Sequence, residues 1–213
     1  MPEVTDTFEG KRIPKAVIKR LSLYSRILKT LETKKVEKVS SKELGEALGL
    51  NSAQVRKDLA YFGQFGVPGF GYYVDDLRSN IKRILRTDRE VRLGLVGVGN
   101  LGQALLAYGG FPRQGFRIVA AFDSDKRKVG SVRNGVQIYD IADLQSRLKA
   151  LGIDIVILAV PAEVAQEVCD KIAACGITAI LNFVPARLVI PPHVKVHYVD
   201  LSIEIESLSY YLR

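Results

Sequence analysis

Residues 93–108 read LGLVGVGNLGQALLAY, and the order of residue types in this stretch decides the fold. A short apolar run, Leu93 to Val96, leads into Gly97, Gly99 and Gly102 at the spacing GxGxxG, after which Ala104, Leu105 and Leu106 continue as a helix. A strand feeding a glycine turn that opens a helix is the geometry in which backbone N–H groups hold a pyrophosphate. The spacing alone also occurs in kinase loops, so its surroundings must carry the reading. They include Asp123, 21 residues after Gly102, where the end of a second strand places a carboxylate against a ribose 2′-OH. The stretch predicts a dinucleotide-binding Rossmann unit, with Val98, Asn100 and Leu101 completing the loop at the phosphates.

Downstream, strands and helices alternate, which argues a parallel sheet with crossover helices. The predicted strands are RLGLVG, FRIVAAF, a short one over 136–139, DIVILAV, TAILNF and VKVHYV. Ligands of such a sheet lie beyond the carboxyl ends of its strands, which directs attention to Asp123, to the Pro161-Ala162-Glu163 turn and to Asn182 through Pro185. Pro161 and Ala162 suit a wall beside the nicotinamide half of a dinucleotide. Asp123 favours the free 2′-OH of NAD over a 2′-phosphate by charge repulsion, with Lys126 and Arg127 close enough to oppose it.

A dehydrogenase needs a general acid or base at the hydride site and a second domain to hold its substrate. The two histidines, His193 and His197, flank the last strand, and only residues 201–213 follow the Rossmann pattern. No catalytic residue is assigned, and a cofactor site without a substrate site suits a sensor. The closing segment VDLSIEIESLSYYLR carries Leu201, Ile205, Leu208 and Leu212 at helical spacing, an apolar helix able to pack on its own sheet or on a partner subunit.

Upstream, the charge is uneven. The net charge is +8, and residues 1–90 hold 18 Lys/Arg against 12 Asp/Glu. Between Lys11 and Lys42 stand 11 basic residues opposed by Glu32 and Glu37 alone, a face suited to a polyanion. Pro14 fits a first helical position, and Leu21, Ile27, Leu28 and Leu31 give a helical stripe running to Lys34. Ser40 with Glu43 forms a capping box, Gly49 suits a left-handed stop, and Asn51 and Ser52 open a third helix, the shape of a helix-turn-helix. On the third helix Val55, Leu59 and Phe62 face inward, while Ala53, Arg56, Lys57, Ala60 and Tyr61 face outward. Small alanines beside two long cations suit a major groove, and Ser52, Gln54, Arg56 and Lys57 are the candidate DNA contacts. The following GQFGVPGFGYY reads as two strands joined by a Pro68-Gly69 turn, a wing whose tip, Gly69, Phe70, Gly71 and Tyr72, can enter a minor groove. Asp75 or Asp76 then caps a fourth helix, and Arg86-Thr87-Asp88-Arg89 reads as a linker. The expected class is α/β: a winged helix-turn-helix over 1–88, a Rossmann domain over 89–200 and a terminal helix over 201–213.

With 47% apolar and 25% charged residues, the 213-residue chain has ordinary globular usage. It lacks an apolar run of membrane-spanning length and an apolar signal core, so a cytoplasmic protein without membrane association is expected. Cys169 and Cys175 lie six apart in one predicted helix, neither a redox CxxC pair nor a metal spacing, and no metal site is expected.

The stretches VRKDLAYFGQFGVPGFGY, GVGNLG, NFVP and VDLSIEIESLSYYL closely resemble the Rex family of redox-sensing transcriptional repressors, and the resemblance covers essentially the whole chain. It implies a homodimer whose C-terminal helix is swapped onto the partner and whose winged helices bind a palindromic operator in double-stranded DNA. It implies that NADH closes the dimer and releases the operator, with NAD⁺ as competitor. Carried over by motif, Arg56 and Lys57 resemble the major-groove readers, and Gly69 through Tyr72 the wing. Tyr108 resembles the tyrosine of the switch and Asp200 its partner, while Arg26 matches the arginine that pairs with that aspartate in the DNA-competent state. Leu201 would pack near the nicotinamide across the dimer. Family wings often carry a basic residue where this chain has Pro68. The competing classes are a small NAD-dependent oxidoreductase and a winged-helix regulator sensing CoA or another nucleotide.

Overall fold

A computed structural model of the chain describes residues 7–8, 11–67 and 69–212. They fall into two compact units, one running to Arg89 and one beginning at Glu90, next to the linker read in the sequence.

The first unit contains the antiparallel pair β1 (Thr7–Phe8) and β2 (Lys11–Arg12), then α1 (Lys15–Thr33), β3 (Lys38–Val39), α2 (Ser41–Glu46), α3 (Ser52–Ala60), β4 (Tyr72–Tyr73) and α4 (Val74–Ile84). Leu21, Tyr24 and Leu28 bury one stripe of α1 against Leu44, Val55, Leu59, Leu77 and Ile81, and Val17 is buried one turn earlier on the same helix. Leu28, Leu44, Leu77 and Ile81 have almost no exposed surface, and each such side chain stabilises the fold by roughly 1.5–3 kcal/mol. Pro14 sits one place before its expected position, at the cap of α1. The capping box of Ser40 and Glu43 is formed in both directions, Asn51 caps α3, and Gly49 takes a φ of +67°.

Two local expectations are corrected. Among the described residues the wing forms no pair of strands of its own: one bridge, Val67 to Gly71, closes its loop, and β4 pairs instead with β3. Gly63, Gly66, Gly69 and Gly71 make that segment entropically costly to extend and leave it few side chains to pack, whereas Lys38–Val39 supplies an extended neighbour. Pro68, and with it the Pro68-Gly69 turn and the wing's charge, lies outside the described residues. Asp75 and Asp76 do not cap α4. Tyr73 occupies the cap, and the two carboxylates lie in the first turn, where they complement the helix dipole.

The second unit is a seven-stranded sheet built from β5 (Val91–Val96), β6 (Phe116–Asp123), β7 (Val132–Arg133), β8 (Val136–Asp140), β9 (Ile155–Leu158), β10 (Ala179–Asn182) and β11 (Lys195–Tyr198). Their spatial order is β11-β10-β9-β5-β6-β8-β7. All neighbours are parallel except β7, which forms an antiparallel hairpin with β8 through Asn134 and Gly135, both at positive φ as a two-residue type I′ turn requires. Helices α5 (Asn100–Leu106) and α6 (Gly110–Arg113) serve one face, where Leu106 and Phe111 join Leu93, Leu95, Ile138 and Ile157. Helices α7 (Leu144–Ala150) and α8 (Ala162–Ala174) cover the other, with Leu144, Leu148, Val168 and Ile172 against Val96, Phe122 and Val156. Chain order reverses between β5 and β9, so the crevice of a doubly wound sheet lies at their carboxyl ends.

The terminal helix α9 (Leu201–Ser209) buries none of its residues in the single chain, and its apolar side chains Leu201, Ile203, Ile205 and Leu208 are about two-thirds exposed, at 60–66%. Of the two placements open from sequence, packing on its own sheet is not the one observed. Cys169 is buried in α8 and Cys175 ends it, both as free thiols that burial makes harder to ionise. No helix among the described residues is long and apolar enough to cross a membrane. No group of three or more His, Cys, Asp or Glu among them could hold a metal ion.

Candidate functional site

The three glycines after β5 have three different physical reasons. Gly97 turns at a φ of +95°, and a Cβ there would stand 2.3 Å from the carbonyl oxygen of Ala159. A Cβ on Gly102 would stand 2.1 Å from the carbonyl oxygen of Gly97, so this glycine lets α5 lie directly on the turn. A Cβ on Gly99 would meet nothing within 4 Å. Packing does not demand a glycine at 99, and the missing side chain leaves this backbone open to close approach from the cleft. Beside it opens a cleft of about 630 Å³ that brings together Gly97, Gly99, Asn100, Leu101, Asp123 and Pro161. Val98 and Gly102 are buried and do not line the cleft, nor does Ala162, which begins α8 next to Pro161. Sequence reasoning missed Lys128, Val164 and Lys171 on its walls.

Asp123 ends β6 with its carboxylate almost wholly buried. Its Oδ2 accepts from the Val98 N–H at 2.8 Å, its Oδ1 accepts from the Asp125 N–H at 2.8 Å, and Lys128 Nζ donates to Oδ2 at 3.1 Å. Burial pushes its pKa up, but the two backbone bonds and Lys128 outweigh that and hold it below the usual carboxylate range. A carboxylate has about four acceptor positions and three are used here, which leaves one for an incoming hydroxyl. The cations expected to soften this charge are committed elsewhere: Lys126 pairs with Asp140, and Arg127 pairs with Asp125, holding that carboxyl at about 2. The arrangement fits a ribose and its phosphates.

Of the other residues singled out after the strands, Asn182 is buried and folds the NFVP turn, donating to the Val184 carbonyl and accepting from its N–H. His197 lies exposed in β11 and His193 half-buried before it, both off the cleft walls. Tyr108, just beyond α5, is 58% exposed and meets Phe111 edge to face at 5.0 Å. Asp200 caps α9, accepting from the Ser202 N–H. Leu201 is exposed beside it, and Arg26 is exposed on α1 of the other unit.

In the first unit α3 turns Ala53, Arg56, Lys57 and Ala60 outward as its periodicity predicts, with Ser52 and Gln54 half-buried at its start and Tyr61 half-buried rather than outward. The Arg56 guanidinium donates to Ser41 Oγ at 3.0 Å. A groove of about 560 Å³ separates α3 from the wing loop, bordered by Arg56, Ala60, Gln64, Gly69, Gly71 and Tyr72. Phe70 stands at the loop tip, 71% exposed, with Lys38 Nζ 5.6 Å from its ring centre. Tyr72 is corrected to a core position: alternation along β4 sends it inward and leaves Tyr73 outside. Sequence reasoning also missed Asp58, a fully buried carboxylate on α3 held by Arg20, Tyr24 and Gln54.

Comparison with known proteins places these two sites in one context. Residues 12–60 match the family model described as putative DNA-binding protein N-terminus, and residues 88–186 match the model described as CoA binding domain. The redox-sensing transcriptional repressor Rex of Exiguobacterium sibiricum is 44% identical over 202 residues, covering 95% of this chain and 92% of the relative. The Rex of Geobacillus kaustophilus is 45% identical over 205 residues, covering 96% of each. Among solved structures, RSP in complex with NAD⁺ and operator DNA aligns at a TM-score of 0.88 with 37% identity, over 94% of this chain and 92% of that one. RSP in complex with NADH aligns at 0.82 with 36% identity, over 94% of each chain. With its Rossmann cradle and helix-turn-helix unit in one continuous match to these relatives, the chain belongs to the Rex family of redox-sensing transcriptional repressors.

Proposed function

We propose that this chain is a DNA-binding repressor that reads the NADH/NAD⁺ balance, with the unit over 1–88 holding operator DNA, the Rossmann domain over 89–200 holding NAD(H) and the helix over 201–213 swapped onto a second copy in a homodimer. The observation that carries the reading is Gly99, a glycine that no packing contact requires, facing a cleft that ends at an ionised Asp123. Members of the family are repressors rather than enzymes, and the Rossmann fold serves nucleotide binding. The exposed apolar face of α9 supports the swapped helix, since a face of that size on a small domain is stabilised by a partner subunit. A repressor of this kind acts on operator DNA, which supports a cytoplasmic protein.

On this reading Gly97, Val98, Gly99, Asn100, Leu101 and Gly102 cradle the pyrophosphate, Asp123 takes the ribose, and Pro161 and Ala162 border the nicotinamide half, with the partner's Leu201 against it. Ser52, Gln54, Arg56 and Lys57 face the major groove, and the wing tip from Gly69 to Gly71 faces the minor groove, with Tyr72 anchoring it from the core. Arg26, Tyr108 and Asp200 form a switch. A ligand shifts two dimer shapes only by its differential affinity for them, so a near-complete change from NADH requires about 5 kcal/mol of preference for the closed form. NAD⁺ and NADH differ in the charge and planarity of one ring, and a bistable polar triad is suited to read that difference.

Substituting Asp200→Ala tests the triad. The variant should bind operator while the NADH concentration for half-release rises about tenfold, the effect of losing roughly 1.4 kcal/mol of coupling. An unchanged half-release concentration in a gel-shift titration rules out Asp200 as part of the switch.

A further inference from the structure

The one buried carboxylate that α3 carries lies at Asp58, between the inward-facing Val55 and the start of the wing segment. Two donors reach it from α1: Arg20 in a two-pronged bond, Nε to Oδ2 at 2.5 Å and Nη2 to Oδ1 at 2.8 Å, and the Tyr24 hydroxyl to Oδ2 at 2.8 Å. The third donor is on α3 itself, where Gln54 Nε2 donates to Oδ1 at 2.7 Å from one turn earlier. Burial pushes the Asp58 carboxyl up in pKa, the bonds from Arg20, Tyr24 and Gln54 outweigh it, and the net direction is down. An ionised carboxylate only accepts. The amide of Gln54 must therefore turn its NH₂ toward Asp58, and its orientation is set by chemistry rather than left to rotate.

Gln54 is the third residue of α3, in the N-terminal stretch from which a recognition helix reaches base edges. Its own N–H is tied back to the Asn51 side chain, so backbone and side chain are both held before any DNA arrives. With one amide hydrogen given to Asp58, the side chain keeps one N–H and its Oε1, the donor and acceptor pair that matches the N7 and N6–H of adenine. Holding a long side chain in place before binding removes the rotamer loss that recognition otherwise costs. We infer that Gln54 reads an adenine in each operator half-site and that Asp58, anchored by Arg20 and Tyr24, is the positioning residue that fixes its amide. This rests on reading α3 as the recognition helix.

The test is selection of bound duplexes from a pool with a randomised central segment, using the full-length protein and the variants Gln54→Met and Asp58→Asn, followed by binding measurements on the selected duplex with its bases changed one at a time. Wild type is expected to enrich adenine at one position per half-site, and Gln54→Met, whose side chain is half-buried and similar in size, to lose about tenfold in discrimination there. Asp58→Asn should relax the same position, and combining the two variants should add little. NADH affinity, read by fluorescence, should stay as in wild type. A uniform loss of affinity in Asp58→Asn with the base profile intact gives Asp58 a merely structural role and overturns the inference. An unchanged profile in Gln54→Met overturns it too, and if Lys57→Ala then still weakens binding, α3 keeps its place as the recognition helix. Enrichment of no sequence by wild type overturns both readings.

Discussion

Valine in place of Gly99 is expected to lower NADH affinity at least about 100-fold, a loss of roughly 3 kcal/mol, while leaving the fold intact. The separation of the two effects follows from local geometry. Gly99 has an ordinary negative φ, and a Cβ there meets no protein atom within 4 Å, so the added Cβ neither strains the backbone nor clashes in the free protein. The branched side chain instead fills the space where the backbone must approach a pyrophosphate. The neighbouring glycines supply the contrast. Alanine at Gly97 or Gly102 would drive a Cβ to 2.3 or 2.1 Å from a backbone carbonyl oxygen, so those variants should lose thermal stability as well as affinity. Nucleotide fluorescence titrations beside thermal melts distinguish the three. A Gly99→Val variant that binds NADH like wild type removes the loop from the site.

Alanine in place of Lys57 is expected to weaken operator binding about tenfold or more, within the 1–3 kcal/mol range of a groove contact, with NADH affinity unchanged. Lys57 is exposed on the outer face of α3, at the end of the run of small and cationic residues that can approach a groove. If its ammonium meets a phosphate, the slope of affinity against salt should fall by about one unit; if it meets a base edge, the loss should concentrate at one base pair. Arg56 differs, since its guanidinium already donates to Ser41 through Nη1, which steadies the side chain and leaves its other donors for DNA. Equal losses of DNA and NADH affinity in Lys57→Ala would mean that the substitution damages the protein as a whole.

The features legible in the sequence were those whose determinants lie close together along the chain. The β5 run, its glycine turn and Asp123 follow a period and a spacing, and so do the capping box at Ser40 and the left-handed Gly49. Asp58 was invisible for the opposite reason: the partners that make it a buried anchor, Arg20 and Tyr24, lie 38 and 34 residues earlier, and nothing local distinguishes it from a solvated carboxylate. Lys128 escapes notice for another reason: it lies only five residues after Asp123, but their contact depends on how the turn after β6 folds back, which no period or spacing encodes. Tyr72 was misplaced because a strand's facing is set by its partner, and β4 pairs with β3 from far upstream rather than with the glycine-rich wing. The β7–β8 hairpin did carry a signal, the Asn134-Gly135 pair, but its first strand is only two residues long and gives no period to read.

The central claim is that one nucleotide state controls DNA release. It is tested most directly by titrating the protein bound to operator duplex, recovered by selection, with NADH, NAD⁺ and CoA in parallel and following DNA release by fluorescence anisotropy. NADH should release the duplex, NAD⁺ should shift the NADH curve to higher concentration without causing release, and CoA should do neither. Equal release by NADH and NAD⁺, or release by CoA alone, would contradict the account.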